Sequence, residues 1–84
     1  MPQFASLTSR QLGEIIARRP LALLPVGQLE EHGPHLPVNT DAVIAERVSA
    51  AAAERLEDLP CVLMPTVWAG YSGRELAHWP GTIR

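Results

Sequence analysis

The sequence predicts an α/β fold: a layered open sheet built around a parallel βαβ unit. Two short, wholly apolar runs at residues 21–26 and 61–64 are each bounded by Pro or Gly, and a single alanine-rich helical period lies between them. At 84 residues the chain suffices for one small domain and not for two. A chain of this size buries only about 60% of its unfolded surface. With sheet edges left unpaired as well, such a unit is expected to be marginal alone and to belong to something larger.

The elements follow in order. Thr8 and Gln11 have capping-box spacing, and Leu12, Ile15 and Ile16 recur at helical intervals until Pro20 stops the run behind Arg18 and Arg19. Residues 21–26 carry no polar side chain before Gly27, the pattern of a strand covered on both faces. Pro25 has no N–H for the ladder and is expected near the strand's end or at an irregularity. From 28 to 40 the chain is polar and broken by Gly33, Pro34 and Pro37, which forbids a regular helix and predicts a rigid loop. A helix is predicted over 41–56, capped by Asn39 or Thr40. Ile44, Val48, Ala52 and Leu56 form its apolar stripe, and Glu46, Glu54 and Glu57 interleave with Arg47 and Arg55 outside. Pro60 opens the second strand, which is closed by Pro65 and continues through Thr66, Val67 and Trp68. The stretch 69–84, punctuated by Gly70, Gly73, Pro80 and Gly81, has no period and reads as a second loop at the same sheet edge. Trp68, Tyr71 and Trp79 are expected mainly in the core.

Composition narrows the partners. With 46% hydrophobic and 19% charged residues and a net charge of −2, the chain has no basic footprint for nucleic acid or an anionic membrane. No Gly-rich phosphate loop is present. The lone Cys61 lies in an apolar run and is expected to be a buried, inert thiol, which suits a cytoplasmic location. Residues 1–10 lack the basic start and apolar core of a secretory signal, and no stretch approaches the roughly 20 apolar residues of a membrane span.

The chemistry concentrates in Glu30, Glu31, His32, His35 and Asp41, on a loop leaving the carboxyl end of the first strand, where open α/β sheets place their ligand sites. Glu30 and His32 are two apart, so an extended backbone turns both to one side. Asp41 begins the next helix, and the intervening prolines and glycine can fold it back toward them. Carboxylates with imidazole suit zinc, manganese or iron better than calcium or magnesium. The same residues also fit a loop without metal. Glu30 and Glu31 are then solvated charges, His32 and His35 bond the loop backbone, and Asp41 is an ordinary acid at a helix start.

The run Leu24-Pro25-Val26-Gly27-Gln28-Leu29-Glu30-Glu31-His32-Gly33-Pro34-His35-Leu36-Pro37, followed by Thr40-Asp41 and Ile44-Ala45-Glu46, resembles the metal-binding segment of the creatininase (creatinine amidohydrolase) family. A second shared feature, an aromatic before Pro-Gly-Thr, stands at Trp79-Pro80-Gly81-Thr82, preceded by Gly70-Tyr71-Ser72. The resemblance implies that residues 1–84 are the N-terminal portion of a single creatininase-like α/β domain, truncated relative to the family. It implies Glu30, His32 and Asp41 as ligands of two divalent cations, with Asp41 shared, and a histidine and a glutamate beyond Arg84 to complete the site. Zinc is the expected ion, with manganese or iron as alternatives.

The implied activity is two-metal hydrolysis of a C–N bond in a small amide or cyclic amide, in a homo-oligomer. His35 or Glu31 would relay a proton to the leaving nitrogen. Ser72 is not expected to be a nucleophile, because no Gly-x-Ser-x-Gly elbow surrounds it. Glu31 stands where the family carries Gln. Glu75 stands where many relatives have a histidine, and His78, adjacent to Trp79, either takes that place or is unrelated. The alternative is a chain without catalysis of its own, either an inactive remnant or a metal-binding subunit. Three ligands leave two cations under-coordinated, so the isolated 84 residues are expected to hydrolyse no amide.

Overall fold

The computed structural model describes residues 2–56, 58–73 and 78–83. A 3-10 turn at Phe4–Ser6 leads into helix α1, Ser9–Ile16. Its capping box is complete: Thr8 Oγ1 accepts from the Gln11 N–H at 3.2 Å, and Gln11 Oε1 accepts from the Thr8 N–H at 2.9 Å. The helix ends before Pro20, and Arg19 makes the turn with a positive φ of 52°. Strand β1, Leu21–Leu23, helix α2, Thr40–Glu54, and strand β2, Cys61–Leu63, complete the unit. The strands run parallel with Leu21 opposite Cys61 and Leu23 opposite Leu63, the predicted βαβ arrangement.

Both strands are shorter than their apolar runs, and the prolines account for this. Pairing resumes beyond the ladder at Val26 and Val67, with one extra residue taken up in the second run between Leu63 and Val67. Pro25 offers only its carbonyl, which accepts from the Val67 N–H at 2.9 Å. The irregularity expected at Pro25 therefore falls between two paired stretches. Gly27 N–H to Val67 O at 2.9 Å and Leu29 N–H to Trp68 O at 3.0 Å carry the pairing into the functional loop. On its other side β2 meets the N-terminus, through a bridge between Gln3 and Leu63.

The core is small. Val62 and Leu63 are the buried hydrophobic side chains among the described residues, and α2 packs over β2. Four expectations are corrected, the fourth being the full burial of Cys61. β1 is not covered on both faces, since Leu21, Leu24 and Val26 are all exposed. On α2 the stripe residues Ile44 and Val48 face outward, at 56% and 62% exposure, while Ala45, Ser49 and Ala53 are half-buried; of the predicted stripe only Leu56, just beyond the helix end, is half-buried as well. Small residues let the helix sit close to the sheet, and the branched ones are left outside. Trp68, Tyr71 and Trp79 are likewise exposed, Tyr71 at 81%. Cys61 is half-buried, in a cleft lined by Ile15, Arg18, Ala53 and Leu56. Asn39 occupies the α2 cap position without a side-chain cap bond, and Thr40 Oγ1 instead donates to the Pro37 carbonyl at 2.6 Å. Glu57 and Glu75 lie outside the described residues.

Candidate metal centre

The site is assembled where the first apolar run meets the start of α2. Gly27 makes that meeting possible. It is buried, and a Cβ there would stand 2.5 Å from the carbonyl carbon and oxygen of Asp41 and from the Ala42 nitrogen. Only a residue without a side chain lets the helix start press against the strand end. Three residues further on, the Glu30 N–H bonds the Val38 carbonyl at 3.1 Å and closes the loop between them. Asp41 is thereby brought back over Glu30 and His32.

One ligand atom from each of Glu30, His32 and Asp41 lies within 4.8 Å of the other two, and all three side chains are half-buried. His32 Nε2 stands 3.3 Å from Asp41 Oδ1. Two ligands about 2.1 Å from one tetrahedral ion would be separated by about 3.4 Å, so this spacing suits neighbouring corners of a coordination shell. The other ring nitrogen, Nδ1, lies 3.3 Å from the Glu30 carbonyl. A histidine that gives its second N–H to a backbone carbonyl while Nε2 faces the ion is the usual orientation of a metal ligand. The donor set, two carboxylates and an imidazole, therefore fits a divalent first-row cation. In the metal-free chain the Glu30 carbonyl holds the His32 pKa above the usual 6.5. Partial burial opposes this, and the charges of Asp41 and Glu30 reinforce it.

Glu31 and His35 do not share that triangle. The Glu31 carboxylate turns back to accept the Gly33 N–H, tightening a turn in which Gly33 has a φ of +79°. Its own N–H is held by Thr82 Oγ1 at 3.0 Å. His35 is exposed, with its ring against Gly33.

Two participants escaped the sequence reading. Ser72, only 5% exposed, donates to Glu30 Oε2 at 3.2 Å and accepts from Gln28 Nε2, which also donates to the Ile83 carbonyl at 2.8 Å. No spacing rule connects positions 28, 30 and 72. The available signal was that Gln28 and Ser72 both lie in the stretches that carry the family resemblance, Ser72 two residues after Gly70, where a Cβ would strike the Gln28 side chain. The segment 79–83 closes the site from the far side, with the Ile83 N–H bonded to the Leu29 carbonyl at 3.0 Å.

Fold and site together define an α/β protein with a carboxylate and imidazole triad at the carboxyl end of a parallel strand. The family model described as creatinine amidohydrolase matches residues 5–84, and the chain belongs to the creatininase family. It is 43% identical over 79 residues to the mycofactocin precursor peptide peptidase of Mycolicibacterium smegmatis, covering 90% of this chain and 30% of that protein. To the creatinine amidohydrolase of Pseudomonas putida it is 38% identical over 64 residues, covering 71% and 24%. Among solved structures, a mutant creatininase of the Zn-Zn type superposes with a TM-score of 0.84 at 30% identity, over 95% of this chain and 32% of that one. A manganese creatininase gives 0.80, also at 30% identity and with the same coverage. The chain thus spans about a third of the length of the relatives it matches.

Proposed function

We propose that residues 1–84 form the N-terminal portion of a creatininase-like α/β domain in a metal-dependent amidohydrolase, which hydrolyses a C–N bond of a small amide, cyclic amides included. The observation that carries this reading is the convergence of Glu30, His32 and Asp41 within 4.8 Å at a strand's carboxyl end. These three residues would hold divalent cations, with Asp41 shared between two. Zinc or manganese, the ions of the solved neighbours, are the first candidates. When bound, such ions polarise a carbonyl and lower the pKa of water toward neutrality.

The chain's own residues supply orientation and proton handling. The Glu30 carbonyl fixes the His32 ring through Nδ1 and leaves Nε2 toward Asp41. His35, exposed on the same loop, is the group we assign to passing a proton to the leaving nitrogen. Glu31 can do so only after releasing the Gly33 N–H. A cytoplasmic location without nucleic-acid or membrane partners belongs to the same reading and rests on composition and the lone cysteine, and the homo-oligomer rests on the family resemblance alone.

The test starts from the polypeptide carrying these residues in its natural source, whose intact mass is compared with the 9.1 kDa of this chain. Its metal content and hydrolytic activity are then measured. The substrate panel follows the names of those relatives whose substrates hold a C–N bond: creatinine and a precursor peptide. We expect bound zinc or manganese, and hydrolysis that chelation or Asp41→Ala abolishes. Activity undiminished by both treatments would sink the proposal.

A further inference from the structure

We infer that Gln28 and Ser72 form a directional hydrogen-bond relay that aims the Glu30 carboxylate, making both of them positioning residues for the metal centre. The inference rests on the metal-binding reading above and adds to it two residues outside the ligand set.

The direction of each bond follows from donor and acceptor inventories. A backbone carbonyl only accepts, so the atom of the Gln28 amide lying 2.8 Å from the Ile83 oxygen is the NH2 nitrogen. That same nitrogen contacts Ser72 Oγ, so the amide donates there too and occupies an acceptor lone pair of the hydroxyl. Ser72 has a single hydroxyl proton left to give, and the remaining partner is Glu30 Oε2 at 3.2 Å. The Ile83 carbonyl therefore sets the amide, the amide sets the hydroxyl, and the hydroxyl sets the carboxylate. Ser72 is the one buried polar side chain among the described residues. A serine buried there is expected to be fully bonded, since an unmet hydroxyl costs stability. Gly70 gives Gln28 the space to reach it, because a Cβ at that position would meet the Gln28 amide. The relay also gives the segment 79–83 a purpose at the site. Thr82 and Ile83 bond Glu31 and Leu29 on either side of Glu30, so the anchor of the relay and the loop that it aims are tied together.

The probe is Co2+ added to this chain, read by visible d–d absorption for affinity and geometry. Ser72→Ala is expected to weaken binding about 10-fold or more, the usual consequence of losing a group that orients a metal ligand. Ser72→Thr, which keeps the hydroxyl, should restore it. Gln28→Glu is the sharper variant: of nearly equal size, it accepts where the amide donates, draws the Ser72 proton away from Glu30, and should weaken Co2+ binding at least as much as Ser72→Ala. Circular dichroism of each variant separates these effects from unfolding.

A second readout needs no metal. In the wild-type chain the Gln28 side-chain amide protons should exchange slowly and sit away from the values of exposed glutamines, and Ser72→Ala should release them. Equal Co2+ affinity in folded wild type, Ser72→Ala and Gln28→Glu would overturn the relay while leaving the metal site standing. Absence of Co2+ binding by wild type with a protected Gln28 amide would overturn the metal reading and, with it, the role of the relay there. A Gln28 amide that exchanges like an exposed one overturns the relay whatever the metal does.

Discussion

At the scale of single residues, Gly27 decides whether the site exists. Its N–H is committed to the Val67 carbonyl, so it cannot move away from the strand, and its missing side chain is the space into which the Asp41 backbone fits. Gly27→Ala has to push the start of α2 outward, because the atoms opposing the new methyl belong to the backbone and have no rotamer to change. We expect a loss of about 1–3 kcal/mol in stability, visible as a lower thermal midpoint, together with a larger loss of metal affinity, because Asp41 retreats from His32. A variant that melts lower yet binds metal as tightly as wild type would contradict the coupling. His32 gives the second residue-scale prediction. With Glu30 and Asp41 beside it, its pKa in the metal-free chain lies above 6.5, and Asp41→Asn should lower it in an NMR titration. The sign follows: a raised folded-state pKa contributes stability that is complete below the unfolded value and is lost as pH rises through the folded value. Metal needs the neutral ring, so apparent metal affinity should fall as pH drops through that same raised pKa.

At the scale of elements, α2 is where periodicity and burial part company. The i, i+4 spacing of Ile44, Val48, Ala52 and Leu56 marks a helix, and the helix is there, but an apolar stripe says only which side can be covered. The helix packs over β2, and Ala45, Ser49 and Ala53 are among its half-buried positions. The energetic contrast can be measured. Ile44→Ala, at a position 56% exposed, should change stability within about ±0.5 kcal/mol. Leu63→Ala, in the small core at 6% exposure, should cost about 2–5 kcal/mol. Denaturant unfolding of the two variants checks this, and comparable losses would mean that Ile44 is covered in solution. The strands teach a related point. Their apolar runs were legible, but the ladder is interrupted between the Leu23–Leu63 and Val26–Val67 pairs, where Pro25 and Pro65 each bring no N–H to it.

At the scale of the whole chain, the βαβ order and the loop were readable from residue types, whereas spacing only allowed Glu30, His32 and Asp41 to meet, and it was the family resemblance that singled out those three. What stayed unreadable depended on contacts across 40 or more residues: Ser72 on Glu30, Ile83 on Gln28, Thr82 on Glu31. Burial was misread for a physical reason as well. The radius of gyration is 15.7 Å, with extents of 46 × 24 × 18 Å, whereas a compact domain of this length would have about 12 Å. An elongated chain with so small a core gains little from burial, which makes its stability unusually sensitive to any ligand bound by the native state alone. Zinc at about 100 times its dissociation constant stabilises such a state by about 2.7 kcal/mol. For a domain of this size that corresponds to a rise in thermal midpoint on the order of 10 °C or more. The rise should vanish in Asp41→Ala and shrink as pH falls through the His32 pKa, because protons compete for the same nitrogen. A midpoint indifferent to zinc in the wild-type chain would show that the three side chains meet as an ion pair and its neighbour, and not as a metal site.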